Sequence, residues 1–132
     1  MALSAAGLAL ILPTATTRYV ALATAADLLS GSFAELTAPG YSRKAHSAWL
    51  TVVGGGEIRR QSNVAIVFDA LPAGATGVTW WGIFDAAVAG NLLAAGPLLN
   101  LGGTPQPMTF APGDQPRFNI GDLSLIATPE VV

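Results

Sequence analysis

His46 is the single histidine of the chain, and cysteine is absent. Two abundant kinds of reaction centre are thereby removed: a metal cluster needing several imidazoles, and any site built on thiolates, whether zinc, iron–sulfur or nucleophilic. Disulfide staples go with them. A Ser-His-Asp triad would have to use His46. That residue stands beside Arg43 and Lys44 in YSRKAHS, which reads as a polar strand or loop face. The eight acidic residues are spread singly. Asp27, Asp69, Asp85, Asp114 and Asp122 lie in turn-like contexts, where a carboxylate accepts local backbone N–H bonds. No local pairing of carboxylates suggests glycosidase chemistry. Gly54-Gly55-Gly56 followed by Glu57, Ile58, Arg59 and Arg60 is not a phosphate loop, because Gly-Lys-Ser/Thr and the following helix are missing.

The remaining candidates are groups that bind rather than react. Arg43, Lys44, Arg59 and Arg60 are four of the six basic residues, and they form a positive patch if their two strands pair. Such a patch would dock on an acidic partner surface; otherwise it is a solvated face. Trp80 and Trp81 are adjacent, so in a strand they point to opposite faces. One fills the core, and the other is covered by a second sheet or serves as an interface anchor. An exposed Trp49, Trp80 or Trp81 would instead suit carbohydrate stacking.

The elements that must position these residues are mostly strands. Ser4 is a good N-cap for the apolar run 5–12, which predicts one short helix over about 4–12, ended by Pro13. From Arg18 onward, short runs of Val, Ile, Leu, Thr and aromatics are punctuated by Gly and Pro. In the first run Tyr19, Ala21 and Ala23 share one face, and Val20 and Leu22 the other. A turn follows near 27–30, a break at 38–40, and strands at 41–45 and 48–53. The three glycines make a turn or hinge. Residues 58–68 alternate, with Val64, Ile66 and Phe68 on one face, and 71–77 form a loop. Residues 78–84 and 91–96 form a hairpin around 85–90, whose Gly90-Asn91 end supplies positive φ. Prolines 105, 107, 112 and 116 interrupt the chain before 117–120, and Gly121-Asp122 introduces a last strand at 123–127. Seven to nine strands predict an antiparallel β-sandwich or jelly-roll over about 18–128, with residues 1–132 forming a single domain.

With 132 residues there is enough chain for one core. Charged residues are 11% of the chain and hydrophobic ones 52%, against about 25% charged in an average soluble domain. Such a chain sits in a membrane or hides surface against partners. The longest apolar run, 5–12, is far short of the roughly 20 residues a transmembrane helix needs, and no basic residue precedes Arg18 as a cleaved signal would require. A net charge of −2 offers no field for nucleic acid.

The segment GVTWWGIFDAAVAGNLLAAGPL, from Gly77 to Leu98, resembles small virion proteins of tailed phages, a family labelled capsid cement (decoration) or tail fibre proteins. The similarity continues in ALSAAGLALIL, RYVALAT, GYSRKAH, SNVAIVFDALPAG and DLSLIAT, and its most specific part is GIFDAA followed by GNLL. The chain departs from it in a short loop after Ala23 and in AAVAGN at the hairpin tip. The resemblance implies a non-enzymatic virion protein without cofactors. A capsid decoration protein is the first expectation, with the major capsid protein and copies of itself, as dimer or trimer, for partners. A tail fibre or baseplate component is the alternative. The expected contact residues are Leu8, Ile11 and Leu12 on the helix, with Arg43, Lys44, Arg59, Arg60, Trp80 and Trp81.

Overall fold

The computed structural model describes residues 16–27, 29–54, 57–100 and 102–127, and among them the regular structure is β with no helix. The helix expected over 4–12, with Leu8, Ile11 and Leu12, lies outside the described residues. Twelve strands follow in order: β1 (Arg18–Asp27), β2 (Ser32–Glu35), β3 (Lys44–His46), β4 (Trp49–Gly54), β5 (Glu57–Ser62), β6 (Ile66–Val67), β7 (Ala75–Val78), β8 (Trp80–Phe84), β9 (Leu92–Pro97), β10 (Met108–Phe110), β11 (Arg117–Phe118) and β12 (Ser124–Ala127). The strand pairings with an established register are all antiparallel.

The residues gather into two compact units that interleave along the sequence. Within the described residues the larger takes 18–45 and 67–116, and the smaller 16–17, 46–66 and 117–127. The short strands β6 and β11 lie where the chain passes from one unit to the other.

The larger unit is organised on a sheet of order β2-β1-β8-β9, with β3 also pairing with β1. Because β1 is interior, Val20, Ala21, Leu22 and Ala23 are all buried, which is why RYVALATAAD is apolar on both faces. Register places Ala21 beside Gly82 and Tyr19 beside Phe84 on one face, and Leu22 beside Trp81 and Val20 beside Ile83 on the other. The two-face reading of 19–23 holds. β8 and β9 are the expected hairpin, with Ala89 (φ 55) and Gly90 (φ 74) turning its end.

Two glycines in this sheet make room for aromatics. A Cβ on Gly96 would stand 2.7 Å from the ring of Trp81, its cross-strand partner. A Cβ on Gly82 would stand 2.7 Å from the ring of Phe33, which also meets Phe84 edge-on at 5.3 Å. Packing of large rings over bare backbone fills the faces of a sheet otherwise rich in alanine.

Among the described residues twelve strands stand where seven to nine were expected, with β2 unforeseen and β3 shorter than 41–45, and two further departures have local causes. The run 58–68 is broken after Ser62, where the Asn63 N–H donates to the Ala48 carbonyl. Val64 consequently does not join Ile66 and Phe68: it is 50% exposed, whereas they are buried. The loop expected over 71–77 ends in a strand instead, since β7 pairs with β10, a strand set between Pro107 and Pro112. A register shift in that pair accommodates Gly77 at φ 66.

In the smaller unit the sheet runs β12-β5-β4. Residues 55 and 56 of the glycine run lie outside the described residues, and Gly54 and Glu57 on either side are paired. Its buried side chains are His46, Trp49, Ser62, Ile66 and Leu123.

Candidate functional site

His46 corrects the expectation of a polar face. It is buried, its Nε2 lies 2.8 Å from the Ala48 carbonyl, and its ring meets Trp49 edge-on at 4.6 Å. Burial holds its pKa below 6.5, only partly offset by the Ala48 carbonyl. A buried imidazole in that setting packs against Trp49, and among the described residues its hydrogen-bond partner is the Ala48 carbonyl. No group of three or more His, Cys, Asp and Glu gathers as a metal site among the described residues.

Four of the aspartates serve turns. Asp27 accepts from the Leu29 N–H, Asp114 from Ala111 and Asp122 from Asn119. Asp85 accepts both the backbone N–H and the side-chain amide of Asn91, closing the β8–β9 turn. These bonds keep the Asp85 carboxyl below its ordinary range.

Arg43 is the most heavily bonded side chain of the larger unit. Its Nε and Nη2 grip the two oxygens of Glu35 at 2.9 and 2.8 Å. Its Nη1 donates to the carbonyls of Ala86 and Ala89 at 2.9 and 2.6 Å, and its guanidinium lies 3.6 Å over the Phe84 ring. Tyr41 donates to Glu35 at 2.6 Å and accepts the Leu22 N–H. One guanidinium therefore ties β2 to the tip of the β8–β9 hairpin, using the planar fork that distinguishes Arg from Lys. Partial burial alone would raise the Glu35 carboxyl. The bonds from Arg43 and Tyr41 and the charge of Arg43 outweigh it and leave that carboxyl below its ordinary value. Burial and the bond to Glu35 push the Tyr41 hydroxyl up, so it stays a donor throughout the working pH range.

The strand pairing that would join the four basic residues is absent among the described residues. The strand of Lys44, β3, pairs with β1, whereas Arg59 and Arg60 on β5 face Val52 and Thr51 of β4. Arg43 belongs to the internal clamp, and Lys44 beside it is exposed. Trp81 is buried over Gly96, and Trp80 is half-buried. Glu35, Ala86 and Ala89 carried no signal of the clamp, because Arg43 reaches them across 8 to 46 residues, and Tyr41 joins it only through Glu35.

The smaller unit exposes apolar side chains along one strand. Leu50, Val52 and Val53 of β4 are 41%, 42% and 74% exposed. No helix among the described residues is long and apolar enough to cross a membrane.

The described residues thus form antiparallel β structure with four aspartates in turns, an Arg43–Glu35 clamp and an exposed apolar strand. Residues 6–126 match the family described as Podophage GP4 fiber I protein gp80, and the chain belongs to that family. The resemblance carried by GIFDAA and GNLL thus holds for a phage virion protein, and the match is on its fibre side. No curated protein matches the chain.

Proposed function

We propose that this chain is a non-enzymatic structural component of the tail fibre apparatus of a podophage, working through contacts with other virion proteins. The observation that carries this reading is the family match over residues 6–126, whose description names a fibre protein. It supports the tail fibre alternative better than capsid decoration, which was the first expectation from sequence, and on this proposal the partner is a neighbouring fibre or tail protein rather than the major capsid protein. Few charges in the sequence and an outward apolar strand agree with a chain that buries surface on assembly. Packing of the sheets as a sandwich, and the absence of nucleic acid, membrane or cofactor among the partners, belong to the same proposal.

Mass spectrometry of separated heads and tails tests it. The chain should follow the tail fraction, at a copy number near that of other fibre proteins. Recovery with empty heads, in numbers comparable to the shell protein, would restore the decoration reading.

A further inference from the structure

We infer that the tip of the β8–β9 hairpin, residues 86–90, is a preformed knob that seats Val88 in an apolar pocket of another tail protein. The inference rests on the reading of the chain as a fibre component. Turns ordinarily recruit Asn, Asp, Ser or Gly. This one reads Ala-Ala-Val-Ala-Gly, with no polar side chain between Asp85 and Asn91. Val88 stands 83% exposed on it. Such a loop has little of its own to hold it, and among the described residues the one backbone–backbone bond within 85–91 is that from the Asp85 N–H to the Asn91 carbonyl, at 3.2 Å. Arg43 supplies the restraint, donating to the Ala86 and Ala89 carbonyls from 43 and 46 residues away. Ala89 is thereby held at φ 55, the one non-glycine residue with positive φ among the described residues. A left-handed alanine is disfavoured by its own Cβ and persists where the surroundings over-determine it, as they do at contact sites. Gly90 follows at φ 74, where a Cβ would stand 2.5 Å from the Asp85 carboxylate. A loop ordered in advance spares the binding step the entropy of ordering it.

The chemistry of the partner follows from what the tip has left to offer. The Ala86 and Ala89 carbonyls already serve Arg43, whose guanidinium is paired in turn with Glu35. Both oxygens of Asp85 serve Asn91. Docking the tip therefore strands no unpaired charge. A sugar or a charged peptide would find no hydrogen-bonding side chain on residues 86–90, so recognition rests on the Val88 side chain and the alanine methyls beside it. The end of a hairpin is narrow, its two strands about 4.8 Å apart, and enters a recess more readily than it covers a flat face. A pocket lined by apolar side chains and sized for valine meets these conditions.

Because the chain has no cysteine, Val88→Cys places a single thiol at the tip. In the free full-length chain that thiol should react readily with a maleimide. In phage particles assembled with the variant it should react about tenfold more slowly or less, since a pocket shuts out the reagent and raises the thiol pKa. Val88→Asp should lower the copies per particle by about tenfold or more, because it would carry an unpaired carboxylate into the pocket, while the circular dichroism of the free chain stays unchanged. Equal reactivity in the free chain and in particles would overturn the inference. Protection already present in the free chain would make a second copy the cover and overturn it too, as would Val88→Asp at full copy number. None of these failures bears on the fibre assignment, which the separated heads and tails decide.

Discussion

Arg43 meets one carboxylate, two carbonyls and an aromatic ring, with only 8% of its side chain exposed and 27% of its partner Glu35. Replacing it with Met keeps the stem but leaves Glu35 half-buried beside Tyr41 without its cation. Breaking a partly buried pair in this way should cost about 2–4 kcal/mol. Lys44→Ala, at the exposed neighbouring position, should stay within about 0.5 kcal/mol. Urea unfolding of both variants checks the contrast, and equal midpoints would remove the clamp from the account. The same residues set the response to acid. His46 is harder to protonate folded than unfolded, so the unfolded chain binds the extra proton, and stability should begin to fall as pH drops below 6.5. Glu35 is held below its ordinary 4.5, so its contribution is present above that pH and is lost as pH falls through the lower folded value. Melting across this range should show both declines, and His46→Phe should lack the first.

At the scale of elements, sheet packing depends on positions where a side chain is absent. Gly96→Ala drives a methyl into the Trp81 indole and should destabilise by about 1–3 kcal/mol. Gly54→Ala meets nothing within 4 Å and has no positive φ, so it should be neutral or slightly stabilising. Thermal melts that rank the two alike would contradict this packing. The elements legible in the sequence are those fixed by nearest neighbours. The hairpin around 85–90 announces itself through Gly90-Asn91, and the faces of β1 through simple alternation. Less legible are features decided across long separations. β10 lies between prolines and shows itself only through pairing with β7, and the break after Ser62 depends on the carbonyl of Ala48. His46 reads as polar because the adjacent Arg43 and Lys44 colour it so; Trp49, three residues on, is the signal of its burial. The basic residues of the expected patch are visible in the sequence, whereas the strand partners of β3 and β5 are not.

For the whole molecule, composition and family agree. A chain with 11% charged residues and an outward strand of Leu50, Val52 and Val53 leaves apolar surface that assembly would cover. Membership of a podophage fibre family supplies a particle in which such surfaces meet neighbours. The clamp and the aromatic-over-glycine packing tie together the strands of the larger unit, while the apolar strand β4 lies in the smaller one. The most direct test is cryo-electron microscopy of the intact phage, fitting the β1–β2–β8–β9 sheet into density. The account predicts that it fits in the fibres or their attachment to the tail. A fit on the outer face of the head, repeated over the lattice, would contradict it.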